Sequence, residues 1–232
     1  MPSKAYKLPI KGFLETSFVD WNGYISSVIF LGGCNFRCPF CHNRELVLFP
    51  ERLENISLTY VIRQLRKYSS WVERVVITGG EPTIHSSLPE LLKILRKEGF
   101  KIKIDTNGSS PETIKILVGE SLVDFVSMDV KGPIDRYEKW CGQDVDKGKI
   151  IETINFLLMS GLDYEFRMTF VPSLHTEEDV YQTARFLRGA KRFVVQEFRP
   201  RDTINPNFMN LNPYPLEMLD RVRKKVQEIV TT

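Results

Sequence analysis

Three of the four cysteines of this chain lie within eight residues. Cys34, Cys38 and Cys41 occur in the segment LGGCNFRCPFCHNREL with the spacing C-x3-C-x2-C, and Cys141 stands alone about a hundred residues later. Three thiolates on one loop can converge on a single soft metal centre. The spacing therefore predicts a metal site more than a disulfide framework.

Three interpretations of this spacing are possible. A structural zinc site would need four ligands, and Cys141 would be the fourth, because His42 follows Cys41 too closely for easy joint ligation. Cysteines that merely pack in the core are the second reading. A four-iron cluster on three thiolates would leave one iron without a protein ligand. As with catalytic zinc, such an open position suggests chemistry with an exogenous ligand.

The elements that must position these cysteines follow a repeating pattern. Short apolar runs alternate with amphipathic helical patterns, and Ser57 and a Ser87–Glu90 capping box begin two of the helices. About six β/α units imply a parallel sheet in one domain. The predicted strands span 25–31, 74–78, 101–105, 125–130, 164–170 and 192–198, and the later helices 110–117, 150–159, 176–187 and 215–230.

A polar or glycine-rich signal follows each of the first four strands. The cysteines follow the first, and the others are followed by TGGEP (78–82), DTNG (105–108) and DVKG (129–132). The carboxyl ends of parallel strands build sites both in α/β barrels and in open doubly wound sheets. We therefore expect one site at this edge of the sheet.

Composition excludes several classes. The chain has 232 residues, of which 42% are hydrophobic and 26% charged, with a net charge of +3. These values fit one well-buried core, argue against disorder, and predict no nucleic-acid partner. We find no signal peptide near the N-terminus and no apolar run long enough to span a bilayer, so we expect no membrane association and a cytoplasmic, reducing location.

The segment GCNFRCPFCHN resembles the cluster loop of radical S-adenosylmethionine enzymes. The longer stretch FVDWNGYISSVIFLGGCNFRCPFCHNREL is similar to the anaerobic ribonucleoside-triphosphate reductase activating proteins and to pyruvate formate-lyase activating enzyme. The resemblance implies an α/β fold, a partial (β/α)6 barrel forming a single domain over 1–232. Its core would be about 20–200, with a C-terminal loop and helix at 201–232.

The resemblance also implies the cofactors and their residues. Cys34, Cys38 and Cys41 would hold a [4Fe–4S] cluster whose fourth iron binds S-adenosylmethionine, and one electron would split that cofactor into methionine and a 5′-deoxyadenosyl radical. Lys131 would meet the cofactor carboxylate. The other cofactor-binding residues implied are Phe40 beside the adenine, Gly79, Gly80 and Glu81 at the amino group, and Asp105, Asn107, Asp129 and Arg167; a monovalent cation would be held by Asp105, Thr106, Asp129 and the Met128 carbonyl.

The chain departs from the pattern at one place. Pyruvate formate-lyase activating enzymes carry a histidine after strand six, where this chain reads FVVQEFRP, so Gln196 or Arg199 would substitute. This departure argues against pyruvate formate-lyase as the partner. We expect His85 and His175 to be solvated loop residues and Cys141 to be a packing cysteine.

The function that this resemblance implies is radical initiation. The 5′-deoxyadenosyl radical would take a hydrogen atom from a glycine Cα of a partner enzyme, the anaerobic ribonucleotide reductase, with a flavodoxin or ferredoxin as the electron donor. A radical enzyme acting on a small molecule or nucleotide is the first alternative. A non-catalytic metal-binding interaction module is the second, although the intact TGGEP, DTNG and DVKG motifs count against it.

Overall fold

The computed structural model describes residues 8–231, which form an α/β fold. The strands are β1 (Ile10–Trp21), β2 (Tyr24–Leu31), β3 (Arg74–Gly79), β4 (Lys101–Thr106), β5 (Phe125–Asp129), β6 (Asp163–Phe170) and β7 (Phe193–Glu197). The helices are α1 (Arg44–Leu48), α2 (Leu58–Tyr68), α3 (Leu88–Lys97), α4 (Pro111–Gly119), α5 (Tyr137–Cys141), α6 (Lys147–Met159), α7 (Glu177–Phe186) and α8 (Leu216–Thr231).

The strands of the described chain form one sheet in sequence order, from β1 to β7. β2 pairs with β3, β3 with β4, and β6 with β7, all in parallel, whereas β1 and β2 are antiparallel. The predicted α/β class is therefore confirmed. Because parallel neighbours share a direction, the carboxyl ends of β2, β3 and β4 lie at one edge.

Most predicted elements agree with the structure to within a few residues. The Ser57 side chain accepts a hydrogen bond from the Tyr60 backbone N–H and caps α2, as predicted. The predicted capping box at Ser87 is wrong, because Ser87 makes no side-chain cap bond. Its backbone (φ −89°, ψ 4°) lacks the extended conformation that directs a capping hydroxyl at the first turn.

Strand β1 was not predicted from the sequence. It has the one neighbour β2 in the sheet, and it carries the exposed apolar side chains Leu14, Phe18 and Val19. Register shifts interrupt its pairing with β2. An edge strand with irregular burial lacks the period-two pattern by which strands are recognised.

The described chain divides into two compact units that interleave along the sequence. The first comprises residues 8–35, 45–106 and 112–126, where α3 packs on β4 through buried side chains such as Leu91 and Leu95. The second comprises residues 36–44, 107–111 and 127–231, where α7 and α8 pack together and α8 also covers β7. The single-domain organisation over 1–232 stays a prediction, and residues 1–7 and 232 lie outside the described part.

None of the helices found among residues 8–231 is long and apolar enough to cross a membrane.

Candidate cofactor site

Backbone hydrogen bonds hold the loop that carries Cys38 and Cys41. The Cys41 N–H donates to the Cys38 carbonyl at 3.0 Å, closing a turn. Residues further along the chain support this turn, since the Ile204 N–H donates to the Cys41 carbonyl at 3.2 Å and the Asn205 N–H to the Pro39 carbonyl at 2.9 Å. The loop after β7 therefore positions the cysteine loop. Nothing in the sequence indicated this contact.

None of the four cysteines forms a disulfide, so all four keep their thiols. Among residues 8–231, no group of three or more His, Cys, Asp or Glu side chains converges as the ligands of one metal ion would. An iron–sulfur cluster differs from a single ion because each of its thiolates binds a different iron. Three thiols spread along eight residues can each reach a different iron of one cluster.

Cys141 contacts one of the three predicted cluster ligands. It is fully buried at the end of α5, as expected for a packing cysteine, and its carbonyl accepts a hydrogen bond from the Arg37 N–H at 2.8 Å. A hydrogen bond from the Cys141 thiol, acting against burial, lowers the pKa of Cys38. Burial raises the pKa of Cys41.

The predicted glycines of the TGGEP motif permit a close approach of two chain segments. The Gly80 N–H donates to the Leu31 carbonyl and the Glu81 N–H to the Gly33 carbonyl, each at 2.8 Å. A Cβ on Gly80 would lie 1.8 Å from the Gly33 carbonyl oxygen, and one on Gly79, whose φ is +113°, would lie 2.4 Å from the Leu31 carbonyl oxygen. Only glycine fits at these two positions.

Glu81 is a buried acceptor in the first unit. Its Oε1 accepts hydrogen bonds from the Thr83 N–H at 3.1 Å and from the Thr106 hydroxyl at 2.8 Å. The Glu81 carboxylate therefore fixes the turn after β3 and joins it to the end of β4. Its predicted contact with a cofactor amino group and the predicted role of Thr106 at a cation both remain predictions.

The remaining residues of the DTNG motif have structural partners. Asp105 pairs with the buried Lys103 at 3.3 Å, and the Lys103 ammonium also donates to the Asp20 carbonyl at 2.5 Å. The Asn107 side-chain oxygen accepts from the Ser109 N–H at 2.9 Å, which makes a local turn. Lys103 was not identified from the sequence, although a lysine inside an apolar strand is itself a signal.

Asp129, Lys131 and Arg167 form one ionic group in the second unit. The Asp129 carboxylate accepts from Arg167 Nε at 2.9 Å and from Lys131 Nζ at 3.1 Å, one cation on each oxygen. Burial alone would raise the pKa of Asp129, but the charges of Arg167 and Lys131 lower it to about 2. Two cations share one carboxylate, so the group has a net charge of +1 and suits an added anion.

Two further predicted site residues of the second unit, Met128 and Phe40, are buried and apolar. Met128, whose carbonyl is a predicted cation ligand, is fully buried, and a Cβ on Gly108 would meet its side chain. Phe40, the predicted neighbour of the adenine, is also buried and lies edge-on to His175 with ring centroids 6.0 Å apart. The site residues of the second unit thus include a flat apolar ring besides the charged group.

The prediction that His175 is a solvated loop residue is wrong, because its side chain is only 1% exposed. Its Nδ1 accepts from the Val171 N–H at 3.1 Å, and its Nε2 lies 2.8 Å from the Lys131 carbonyl. His85 is half-buried, with Nε2 3.0 Å from the Gly32 carbonyl. The burial of the two histidines could not be predicted from the sequence, because a histidine in a loop is buried only by tertiary contacts.

Lowering the pH is expected to destabilise the fold through His175. Burial lowers the pKa of His175 from 6.5 to about 4, although the nearby Asp179 carboxylate favours the charged ring and Lys139 disfavours it. Between these two pH values the unfolded chain binds a proton that the folded chain does not, so stability is lost as the pH falls.

The loss attributable to His175 is about 3 kcal/mol across this window. Urea unfolding of the wild-type protein and of His175→Gln at several pH values measures it as the difference between their pH dependences. Identical pH dependences would contradict the assignment.

The model of the Radical SAM superfamily matches residues 28–187, which is more than half of the chain. The chain belongs to the radical S-adenosylmethionine superfamily. Members of this superfamily are enzymes that use a [4Fe–4S] cluster and S-adenosylmethionine, and the donor set described above fits both groups. The predicted family and fold class are thereby confirmed.

Two relatives and one solved structure show the range of the resemblance. A protein of Methanocaldococcus jannaschii with the provisional name of glycyl-radical enzyme activating enzyme is 33% identical over 94% of this chain and 93% of its own. The 7-carboxy-7-deazaguanine synthase of Aquifex aeolicus is 40% identical over 38% of each chain. Streptococcus suis SuiB bound to its precursor peptide SuiA has a TM-score of 0.68 and 21% identity over 88% of this chain and 45% of SuiB, which shows a shared fold.

Proposed function

We propose that this radical S-adenosylmethionine enzyme is a glycyl-radical enzyme activating enzyme. The group of Asp129, Lys131 and Arg167 supports the cofactor part of the proposal, because its net positive charge complements the carboxylate of S-adenosylmethionine. The similarity over 94% of the chain to a protein provisionally named for this activity supports the choice of target class.

Each predicted site residue has a task in this proposal. Cys34, Cys38 and Cys41 hold the cluster, and when bound, the cluster and S-adenosylmethionine together supply a 5′-deoxyadenosyl radical. Lys131 binds the carboxylate as a point charge, and Arg167 keeps Asp129 ionised so that Lys131 stays directed. Phe40 offers an apolar face to the adenine. A monovalent cation near Asp105 and Asp129 stays a prediction.

The target that we propose is the anaerobic ribonucleotide reductase, with a flavodoxin or ferredoxin as the electron donor and the cytoplasm as the location. A glycine Cα is a suitable target for the radical, because the product radical is delocalised into the flanking amides and no side chain hinders approach. A loop of the reductase would have to enter the site, so an exposed binding rim is expected.

The second candidate is a radical enzyme acting on a small molecule or nucleotide. The identity of 40% with the deazaguanine synthase favours it, although that match covers only 38% of this chain. The non-catalytic metal module loses support, since the chain belongs to a superfamily of enzymes.

Anaerobic electron paramagnetic resonance tests the proposal. The reduced, iron-loaded protein is mixed with S-adenosylmethionine and the anaerobic reductase of the same organism, and 5′-deoxyadenosine is quantified in the same sample. We expect a glycine-centred doublet on the reductase, absent with the Cys38→Ala variant. Deoxyadenosine without the doublet would contradict the proposed target and favour the second candidate, and no deoxyadenosine would contradict the radical chemistry.

A further inference from the structure

We propose that Tyr137 and His175 are positioning residues that hold the backbone of Lys131 so that its ammonium can bind the carboxylate of S-adenosylmethionine. This inference rests on the proposed function and names residues that no motif indicated. All of the contacts involved lie within the second unit.

Both backbone polar groups of Lys131 are held by buried side chains. Its N–H donates to the Tyr137 hydroxyl at 3.1 Å, and its carbonyl lies 2.8 Å from His175 Nε2. Tyr137 is fully buried, and His175 is nearly so. Inside a β-sheet, the N–H and the carbonyl of a residue bond to the backbone of neighbouring strands. For Lys131, two side chains take the place of those strands, one from α5 and one from the loop after β6.

The surrounding contacts assign the tautomer of His175. Because Nδ1 accepts a hydrogen bond from the Val171 N–H, the ring proton is on Nε2, which therefore donates to the Lys131 carbonyl. The His175 carbonyl in turn accepts from the Tyr214 hydroxyl at 2.7 Å. The ring cannot turn over without losing a buried backbone partner, so its direction is set.

The Trp140 side chain packs against the residues that follow Lys131. The Trp140 ring stacks on His175 with centroids 4.5 Å apart, and its Nε1 donates to the Pro133 carbonyl at 3.2 Å. A Cβ on Gly132 would lie 2.6 Å from the Trp140 ring, so only glycine permits this approach. Trp140 therefore packs directly against the backbone of residues 132 and 133.

Holding the backbone matters because the lysine side chain is long and flexible. The Lys131 ammonium is bonded to Asp129 and its side chain is only 17% exposed, so holding the backbone fixes the other end of the stem and leaves few positions for the ammonium. Each degree of freedom already lost before binding reduces the entropic cost of binding the carboxylate. Phe40 also contacts His175, so the same ring supports the residue proposed to lie beside the adenine.

Two replacements of His175 separate its two hydrogen bonds. The shorter amide introduced by His175→Asn would reproduce the Nδ1 acceptor and lose the donor to Lys131, whereas the longer amide introduced by His175→Gln can reproduce the Nε2 donor and lose the acceptor. Both variants lose the stacked ring equally. We expect His175→Asn to bind S-adenosylmethionine roughly tenfold more weakly than His175→Gln, because the loss of the ring is common to both variants and only the glutamine keeps the bond to Lys131.

Tyr137→Phe has a matched control in Tyr164→Phe. Tyr164 is also buried, and its hydroxyl accepts the backbone N–H of another lysine, Lys191, at 3.2 Å. Each change removes one hydroxyl that holds a lysine backbone, but only Tyr137 holds Lys131. We expect Tyr137→Phe to weaken binding several-fold and Tyr164→Phe to leave it unchanged.

The measurements are the dissociation constant of S-adenosylmethionine by equilibrium dialysis with the cluster-loaded protein, its iron content, and its thermal stability. Each variant is also made with Lys131→Met. If the residues act through Lys131, the effect of His175→Asn disappears in that background.

The possible results of these measurements distinguish a failure of this inference from a failure of the proposed function. Weakened binding in His175→Asn with full iron content, cancelled by Lys131→Met, supports the inference. Equal affinities for His175→Asn and His175→Gln, or an effect that persists with Lys131→Met, overturns it and leaves the proposed function intact. A wild-type protein that holds the cluster yet binds no S-adenosylmethionine overturns the proposed function itself.

Discussion

Replacing Cys38 with alanine is expected to abolish both the bound cluster and the cleavage of S-adenosylmethionine. Three thiolates are the full protein ligand set of the proposed cluster, so removing one leaves two irons without a protein ligand. Cys38 is nearly buried and is the thiol whose pKa is lowered by the Cys141 hydrogen bond, against burial. Iron and sulfide content, visible absorption and deoxyadenosine yield measure the loss.

The matched control is Cys141→Ala. It removes a buried thiol that contacts Cys38, at a cost of about 1 kcal/mol in folding stability, and we expect the iron content and cofactor cleavage to persist. Loss of iron in Cys141→Ala would show a fourth protein ligand, and the three-ligand cluster would then be wrong. Thermal unfolding of both variants separates ligand loss from misfolding.

Replacing Gly80 with alanine is expected to destabilise the fold by about 3 kcal/mol and to reduce cluster loading. The new Cβ would lie 1.8 Å from the Gly33 carbonyl oxygen and 2.6 Å from its carbon. Both are backbone atoms, so a side-chain rotation cannot relieve the clash. Since Gly33 directly precedes Cys34, displacing it also displaces that predicted ligand.

Gly119→Ala is the control for this experiment, because a Cβ there meets nothing within 4 Å and the position is in a helix. Alanine favours helix formation, so its stability is expected to stay equal or rise slightly. Anaerobic urea unfolding and iron analysis of the two variants measure the contrast. A loss below about 1 kcal/mol in Gly80→Ala would mean that this backbone contact is not rigid.

The candidate site could be predicted from the sequence where chemistry depends on residue type and spacing. Cys34, Cys38 and Cys41 are informative because few structural needs place three thiols in eight residues. Arg167 was a second signal, since an apolar strand carries an arginine only when it is paired, and the structure shows that Arg167 pairs with Asp129.

Most strands and helices were predictable for a related reason. A parallel strand buried on both faces is a continuous apolar run, and an amphipathic helix repeats its apolar residues every three or four positions. Strand β1 lacks such a pattern, because one of its edges has no partner in the described sheet and exposed apolar side chains such as Phe18 and Val19 interrupt its burial. Pairing with β2 stabilises it, and pairing is not a local property of the sequence.

The sequence by itself determined the α/β class through its local periodicity and the family through the resemblance of its cysteine motif, and the cluster ligands stay a prediction from that motif. The tertiary structure decided which buried groups hold the predicted motifs in place. It placed His175 and Tyr137 on the two sides of Lys131, put Cys141 against Cys38, and joined the loop after β7 to the cysteine loop. These contacts join residues far apart in the chain, and their energies exist only when folding brings them together.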